Sequence, residues 1–479
     1  MAYLGFLFAV AACIWIMALV KSKAELDVRI IPVAGVAIVL IGSVFGHAFF
    51  HKSVITIDRL LLAGLCGFFV LCIYKGKEKI KRLCAVDWAV IALTVFLALN
   101  TFAYDFKYLN NLPFSRFLFF IVMPVAIYFL MRLAELRRSD LKLISLGLAI
   151  FAFYLGVTGI AEQRGWGFAV FPKYIMNEVA HEEFFGRARG PFVNPVSNGL
   201  FMIVGMASAL MWWSHVKPRG KMIIGFTTAV IGLGVFATLT RSVWLSMILG
   251  IGLIIWLVAS RQQRTWLVIA GALAGVVLAV ALADDLQQFK RDKNVSEADM
   301  KQSASLRPLF AIVAWNMFQD RPLLGCGFGQ YTDAKTPYLI DPHSGQPLML
   351  TKTFMQHNVF LAYLTESGLI GLGFLLMVLL QFNRIGLRMF FDKGFEPWVR
   401  AFGLILVVFL VVYAVNGMFH DVSIIPQAHM LMFCLAGLVA NLHYGYCAEE
   451  RALRMANRAQ ENSGVTTGVM SSGKTLVES

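Results

Sequence analysis

The chain has 479 residues, of which 58% are hydrophobic and only 15% charged, and it carries a net charge of +14. Soluble domains average roughly 45–50% apolar and about 25% charged residues, so the composition excludes an ordinary water-soluble fold and predicts an all-α, polytopic transmembrane bundle. The positive balance requires no nucleic-acid partner, because Lys and Arg gather in cytoplasmic loops and beside anionic membrane lipids.

Apolar runs long enough to cross about 30 Å of hydrocarbon recur along the chain. They lie near residues 2–20, 30–46, 58–74, 85–103, 116–132, 141–160, 196–214, 221–239, 242–260, 265–283, 357–381, 401–418 and 427–446. The pattern predicts about 12–14 spans and a large outer loop that holds short interfacial helices. The first run starts at Met1 without a small-residue cleavage site and reads as a retained span. Basic clusters such as Lys75/Lys77/Lys79/Lys81, Lys217/Arg219/Lys221 and Arg384/Arg388/Lys393 fall on alternate connections, which places those connections in the cytoplasm. The chain then divides into spans at 1–160, an outer loop at 161–195, spans at 196–283, a large periplasmic loop at 284–356, spans at 357–446 and a cytoplasmic tail at 447–479. The tail turns Ser/Gly/Thr-rich and reads as disordered. Seven scattered cysteines show no zinc-ligand spacing and read as small core residues.

Two outer connections carry the chemistry. In the first, Asn194 precedes Pro195 and supplies a helix cap. In the second, residues 307–319 show helical apolar spacing and predict an interfacial helix. The glycine-rich PLLGCGFGQYTD (322–333) lacks the phosphate-loop lysine and reads as a tight turn folding back over the bundle. Arg187, Arg189, Arg241, Arg307 and Arg321 stand on the side that the positive-inside rule leaves poor in cations. An anionic ligand at the membrane surface is one reason for them, since the guanidinium fork suits phosphate. Pairing with Glu182, Glu183, Asp320 or lipid is the other. The acidic group Asp284, Asp285, Glu297 and Asp299 matches no calcium loop, and His181-Glu182-Glu183 lacks a second histidine at helical spacing, so no metal is expected.

At the head of the next span stand Gln356, His357 and Asn358. An imidazole at the water boundary is suited to proton transfer near neutral pH, although a mere interfacial anchor would look alike. Helical geometry carried from His357 to Glu366 separates them by about 13 Å and roughly half a turn. Glu366 is then a polar contact inside the bundle and no partner of His357 on one atom. His343, His420 and His429 are reserve candidates.

Four blocks in order, RGPFVNPVSNG, TLTRSVWL, R…W…DRPLLGCGFGQY and QHNVFLAYLTESGLIGLG, resemble the O-antigen ligase/polymerase family across about Arg187 to Gly373. The last block is the most specific. The resemblance implies a metal-independent, cofactor-free glycosyltransferase of the bacterial inner membrane with its site on the periplasmic face. It implies a polyprenyl diphosphate-linked glycan as donor and a glycolipid or growing glycan, such as lipid A core, as acceptor. Carried over, Arg189 and Arg241 bind the diphosphate and His357 acts on the acceptor hydroxyl. Direct attack by that hydroxyl inverts the anomeric centre. The rival readings are a transporter or flippase of lipid-linked sugar and a structural envelope component.

Overall fold

The structure, a computed structural model, describes residues 30–46, 56–77, 81–104, 113–177, 184–266, 269, 297–340 and 345–445. The expected spans at 2–20 and most of 265–283, the tail, and Asp284, Asp285, His181, Glu182, Glu183 and His343 lie outside the described residues.

Within the described residues every other expected span is a helix. In chain order these are α1 Ile31–Phe45, α2 Ile57–Tyr74, α3 Ala85–Ala103, α4 Pro113–Leu133, α5 Arg138–Arg164, α6 Pro195–Leu210, α7 Pro218–Ala237 and α8 Arg241–Val258. The long connection supplies α9 Glu297–Asp320, and the chain ends with α10 Val359–Phe391, α11 Pro397–Gly417 and α12 Pro426–Gly445. Nine are long and apolar enough to cross a membrane, with α1 and α6 shorter apolar helices. The protein is a multi-pass helical bundle, as its composition predicts.

Proline opens α6, α7 and α11 at the first turn, where the missing N–H costs nothing. Helices α5, α6 and α7 pack together, as do α10 and α11, with α8 against α11 and α3 against α10. Small residues allow the closest approaches: a Cβ on Gly234 would lie 2.5 Å from Gly156 Cα, and one on Gly403 2.5 Å from the Gly386 carbonyl.

One departure from regular helix matters for the site. In α4, residues Leu118–Val122 wind as a π-helix ahead of Pro124. Pro124 has no N–H for the Phe120 carbonyl four residues earlier. That oxygen is met instead by His429 Nδ1 of α12 at 3.0 Å, while the Tyr413 hydroxyl lies 2.8 Å from His429 Nε2. Both ring nitrogens are therefore engaged inside the bundle, so His429 holds α4, α11 and α12 together.

Candidate functional site: an imidazole on a strained turn beside buried charges

The helix that was to begin at His357 begins two residues later. Asn358 is its cap: its side-chain oxygen accepts from the amides of Phe360 and Leu361 at 2.8 and 3.0 Å. His357 sits outside, exposed, with φ 51°, a left-handed conformation that a histidine holds only when its surroundings demand it. Three contacts impose it. Asn358 Nδ2 donates to the Met418 carbonyl at 3.0 Å, Gln356 Nε2 donates to Thr365 Oγ1 at 2.9 Å, and the buried Lys335 ammonium donates to the carbonyls of Thr351 and Phe354. Burial pulls Lys335 down to about 8. The helical offset computed from His357 to Glu366 does not apply, because residue 357 is not helical.

The imidazole lies against Phe310 of α9, ring centres 5.3 Å apart, and Phe354 at 6.3 Å. One turn before Phe310, the guanidinium of Arg307 stacks over Phe419, 5.3 Å from its centre. The same 418–424 turn carries Asp421, whose carboxylate a protonated His357 would stabilise. Burial raises the Asp421 carboxyl above its ordinary value, opposed by Arg116, by hydrogen bonds from Ser423 and by His357.

Behind Asp421 stands a buried ion cluster. Arg116 Nη1 donates to Glu366 Oε1 at 2.7 Å, and its Nη2 is 3.9 Å from Asp421 Oδ2. The ring of Phe328 lies beneath the guanidinium at 5.1 Å, and the Gly329 amide donates to Glu366 Oε2 at 3.1 Å. Arg116 Nε and Asp421 Oδ2 are buried without a hydrogen-bond partner among the described residues. Arg116 and Asp421 are candidate site residues that the sequence reading passed over. Arg116 stood at the outer end of a span, which is the same wrong-side signal that picked out Arg241.

Glu366 is where the glycine-rich segment docks. Gly368 is non-helical (φ 66°, ψ −166°) and interrupts α10. The amides of Cys326 and Gly327 donate to the carbonyls of Thr365 and Glu366, both at 2.9 Å. In return the amides of Leu369 and Ile370 donate to the carbonyls of Pro322 and Leu323 at 2.8 and 3.3 Å. The segment does fold back over the bundle, as its composition predicts. Glycine is required on both sides, since a Cβ on Gly368 would lie 2.3 Å from Leu323 and one on Gly325 2.4 Å from Glu366.

The arginines divide. Arg241 is exposed at the first turn of α8. Asn416 of α11 donates to Ser246 at 3.0 Å, and Gly250 faces Val408 and Val412, so the two helices run antiparallel. Arg241, about 7.5 Å before Ser246 along the axis, therefore shares the end of the bundle that holds Asp421 and His357. Arg189 does not reach outward: it is 0% exposed. Its Nε donates to Glu162 Oε1 at 3.0 Å, and its Nη2 donates to the carbonyls of Ile175 and Asn177 at 2.6 and 3.3 Å. Arg187 is buried beside the Phe184 ring. Both lie in the segment that caps the α7–α8 turn, where the Ala188 amide donates to the Ala237 carbonyl at 2.9 Å, and Asn194 caps α6 as expected. Arg321 is exposed at the far end of α9, about 21 Å along the helix from Arg307, and acts on Tyr104. Among the described residues no three His, Cys, Asp or Glu side chains gather as a metal site.

Helix α9, the interrupted α10 and the charged 418–424 turn thus converge on one exposed imidazole. Residues 226–376 match the family model for O-antigen ligase. The matched region runs from mid-α7 into α10 and takes in Arg241, Arg307, Arg321, His357 and Glu366, so the resemblance read from the sequence is borne out. No curated protein matches the chain. The O-antigen ligase match supports a glycosyltransferase-type role in polysaccharide assembly. Arg116 and Asp421 lie outside the matched residues and reach the O-antigen ligase region only through the fold.

Proposed function

We propose that the protein is an O-antigen ligase-like membrane glycosyltransferase that moves a glycan from a polyprenyl diphosphate carrier to an acceptor hydroxyl. It works on the periplasmic face of the bacterial inner membrane, with lipid A core or a growing polysaccharide as acceptor. The observation that carries the reading is His357. It is exposed on a strained turn, flanked by Arg307 through α9 and by Asp421 through the 418–424 turn.

A diphosphate is a good leaving group, and its departure needs charge stabilisation more than a proton. Arg307 and Arg241 supply that charge at the mouth of the site. Neutral His357 takes the proton of the acceptor hydroxyl as that oxygen attacks the anomeric carbon, and the carbon–phosphate oxygen bond breaks with inversion. Asp421 stabilises the imidazolium that forms, and Arg116 with Glu366 holds Asp421 in place. Arg189, spent on Glu162, shapes the 187–194 segment and leaves diphosphate binding to the exposed arginines.

The test is a purified-enzyme assay with polyprenyl diphosphate-linked glycan and acceptor. Transfer is expected from the wild type, to survive EDTA, and to fall at least about 10²-fold in His357→Ala. Retained activity in that variant, or a loss on chelation that Mg²⁺ restores, defeats the mechanism.

One observation favours the transporter reading: broken spans such as α10 line substrate paths in transporters. Here, however, the amides and carbonyls flanking the break bond to residues 322–327 and not to a water-filled path. Glycan flux across liposomes without any transfer to acceptor would favour the transporter.

A further inference from the structure

The end of the bundle remote from His357 holds a cavity of about 330 Å³, bounded by the last turns of α6, α8 and α10 and the first turns of α11. Beyond the break at Gly368, α10 runs on from Leu369 to Phe391 for roughly 33 Å toward this end. The volume falls at the lower end of the ~300–1,000 Å³ typical of ligand pockets.

Its walls are those of a slot for hydrocarbon: Leu210, Ile254, Leu257, Leu404 and Ile405 line it. The rim is different. Arg400 projects from α11 with its Nε donating to the Phe390 carbonyl at 2.6 Å and its guanidinium stacked on the Phe390 ring. That bond fixes the plane of the fork, and its two Nη nitrogens donate to no protein acceptor among the described residues. His215 stands beside it on the exposed turn after α6. Lys217, Arg261, Arg388 and Lys393 follow within three residues of lining positions. The neighbouring acids are Asp392, which accepts from the Gly394 amide, and Glu396, which accepts from Trp398 Nε1 at 2.7 Å. The cations so placed outnumber these two acids. Trp213, half-exposed with Lys221 stacked on it at 5.8 Å, flanks the mouth, and an indole so placed marks the headgroup level of a bilayer.

We propose that this cavity is a binding site for an anionic phospholipid, one acyl chain in the apolar slot and the phosphate on the Arg400 fork and His215. Both parts of the ligand are specified. The slot excludes a hydrophilic anion, and a fixed guanidinium plane selects a phosphate that carries net negative charge. The site is separate from glycan transfer and stands or falls independently of it.

Full-length protein in nanodiscs of equal phosphatidylglycerol and phosphatidylcholine is released for native mass spectrometry. The wild type is expected to retain phosphatidylglycerol preferentially. Arg400→Gln should reduce that preference about fivefold, the equivalent of about 1 kcal/mol for one basic group at the surface. Ala401→Phe should fill the slot and abolish retention of both lipids. Ser214→Trp, on an exposed turn outside the helices, should block the mouth while leaving the bundle's melting temperature unchanged. Equal retention of the two lipids by the wild type overturns the proposal, as does an unchanged ratio in Arg400→Gln or undiminished lipid in Ser214→Trp.

Discussion

Two arginine–glutamate pairs lie in the half of the bundle that carries the site, and they do opposite things with similar chemistry. Arg189 and Glu162 form a closed pair: the guanidinium gives its donors to one carboxylate and two carbonyls, the Phe185 ring covers it, and both residues are buried. Arg116 and Glu366 form a pair that continues outward, through Asp421 to the exposed His357. A closed pair fixes a shape. An extended one carries charge toward an exposed surface.

That contrast can be broken or sharpened by substitution. The largest effect is expected at the exposed end of the extended cluster. His357→Ala should lower the transfer rate about 10²–10⁴-fold with unchanged thermal stability, measured on detergent-purified protein; a stability loss of matching size would make the residue structural. Next is the closed pair, where Arg189→Met leaves a buried carboxylate without its cation. Such a change costs about 3–5 kcal/mol, read as a fall in unfolding midpoint, while donor KM stays at the wild-type value in the folded fraction. A raised donor KM at unchanged stability would return Arg189 to the substrate site.

Arg241→Lys keeps the charge and loses the fork, so donor KM should rise about tenfold, or 1.4 kcal/mol, with acceptor KM unchanged. The smallest effect is a shift in pH dependence. His357 acts as a base only when neutral, so the rate falls on the acid side. Asp421 attracts the protonated imidazole, and removing that charge makes the proton easier to lose. Asp421→Asn should therefore move the acid limb of the rate profile to lower pH. An unmoved or upward-moved limb would disconnect Asp421 from His357. Because burial raises the Asp421 carboxyl, acidification neutralises it earlier than an exposed aspartate, and the wild-type limb should be broader than a single titration.

The helices were legible because lipid demands long apolar runs, and each run that is described formed one. Asn194 and the glycine-rich turn were legible because caps and tight approaches have local residue rules. His357 was singled out, but its geometry was misjudged: Asn358 is the better cap, and the helix starts after it. Arg116 and Asp421 escaped for a different reason. Arg116 meets Glu366 across 250 residues of sequence, a pairing that no local spacing encodes. Arg189 shows the converse, since its wrong-side position was visible while Glu162, hidden within an apolar helix, was not read as its partner.

The break at Gly368 also dictates how the protein can be recombined. Its amides and carbonyls are completed by residues 322–327, so the extramembrane stretch is woven into the wall of the membrane domain. Grafting a relative's outer loop alone would strand those backbone groups in hydrocarbon, each at a cost of several kcal/mol. The smallest exchangeable cassette therefore runs from α9 through the first half of α10, and substrate preference should be inherited with that whole piece.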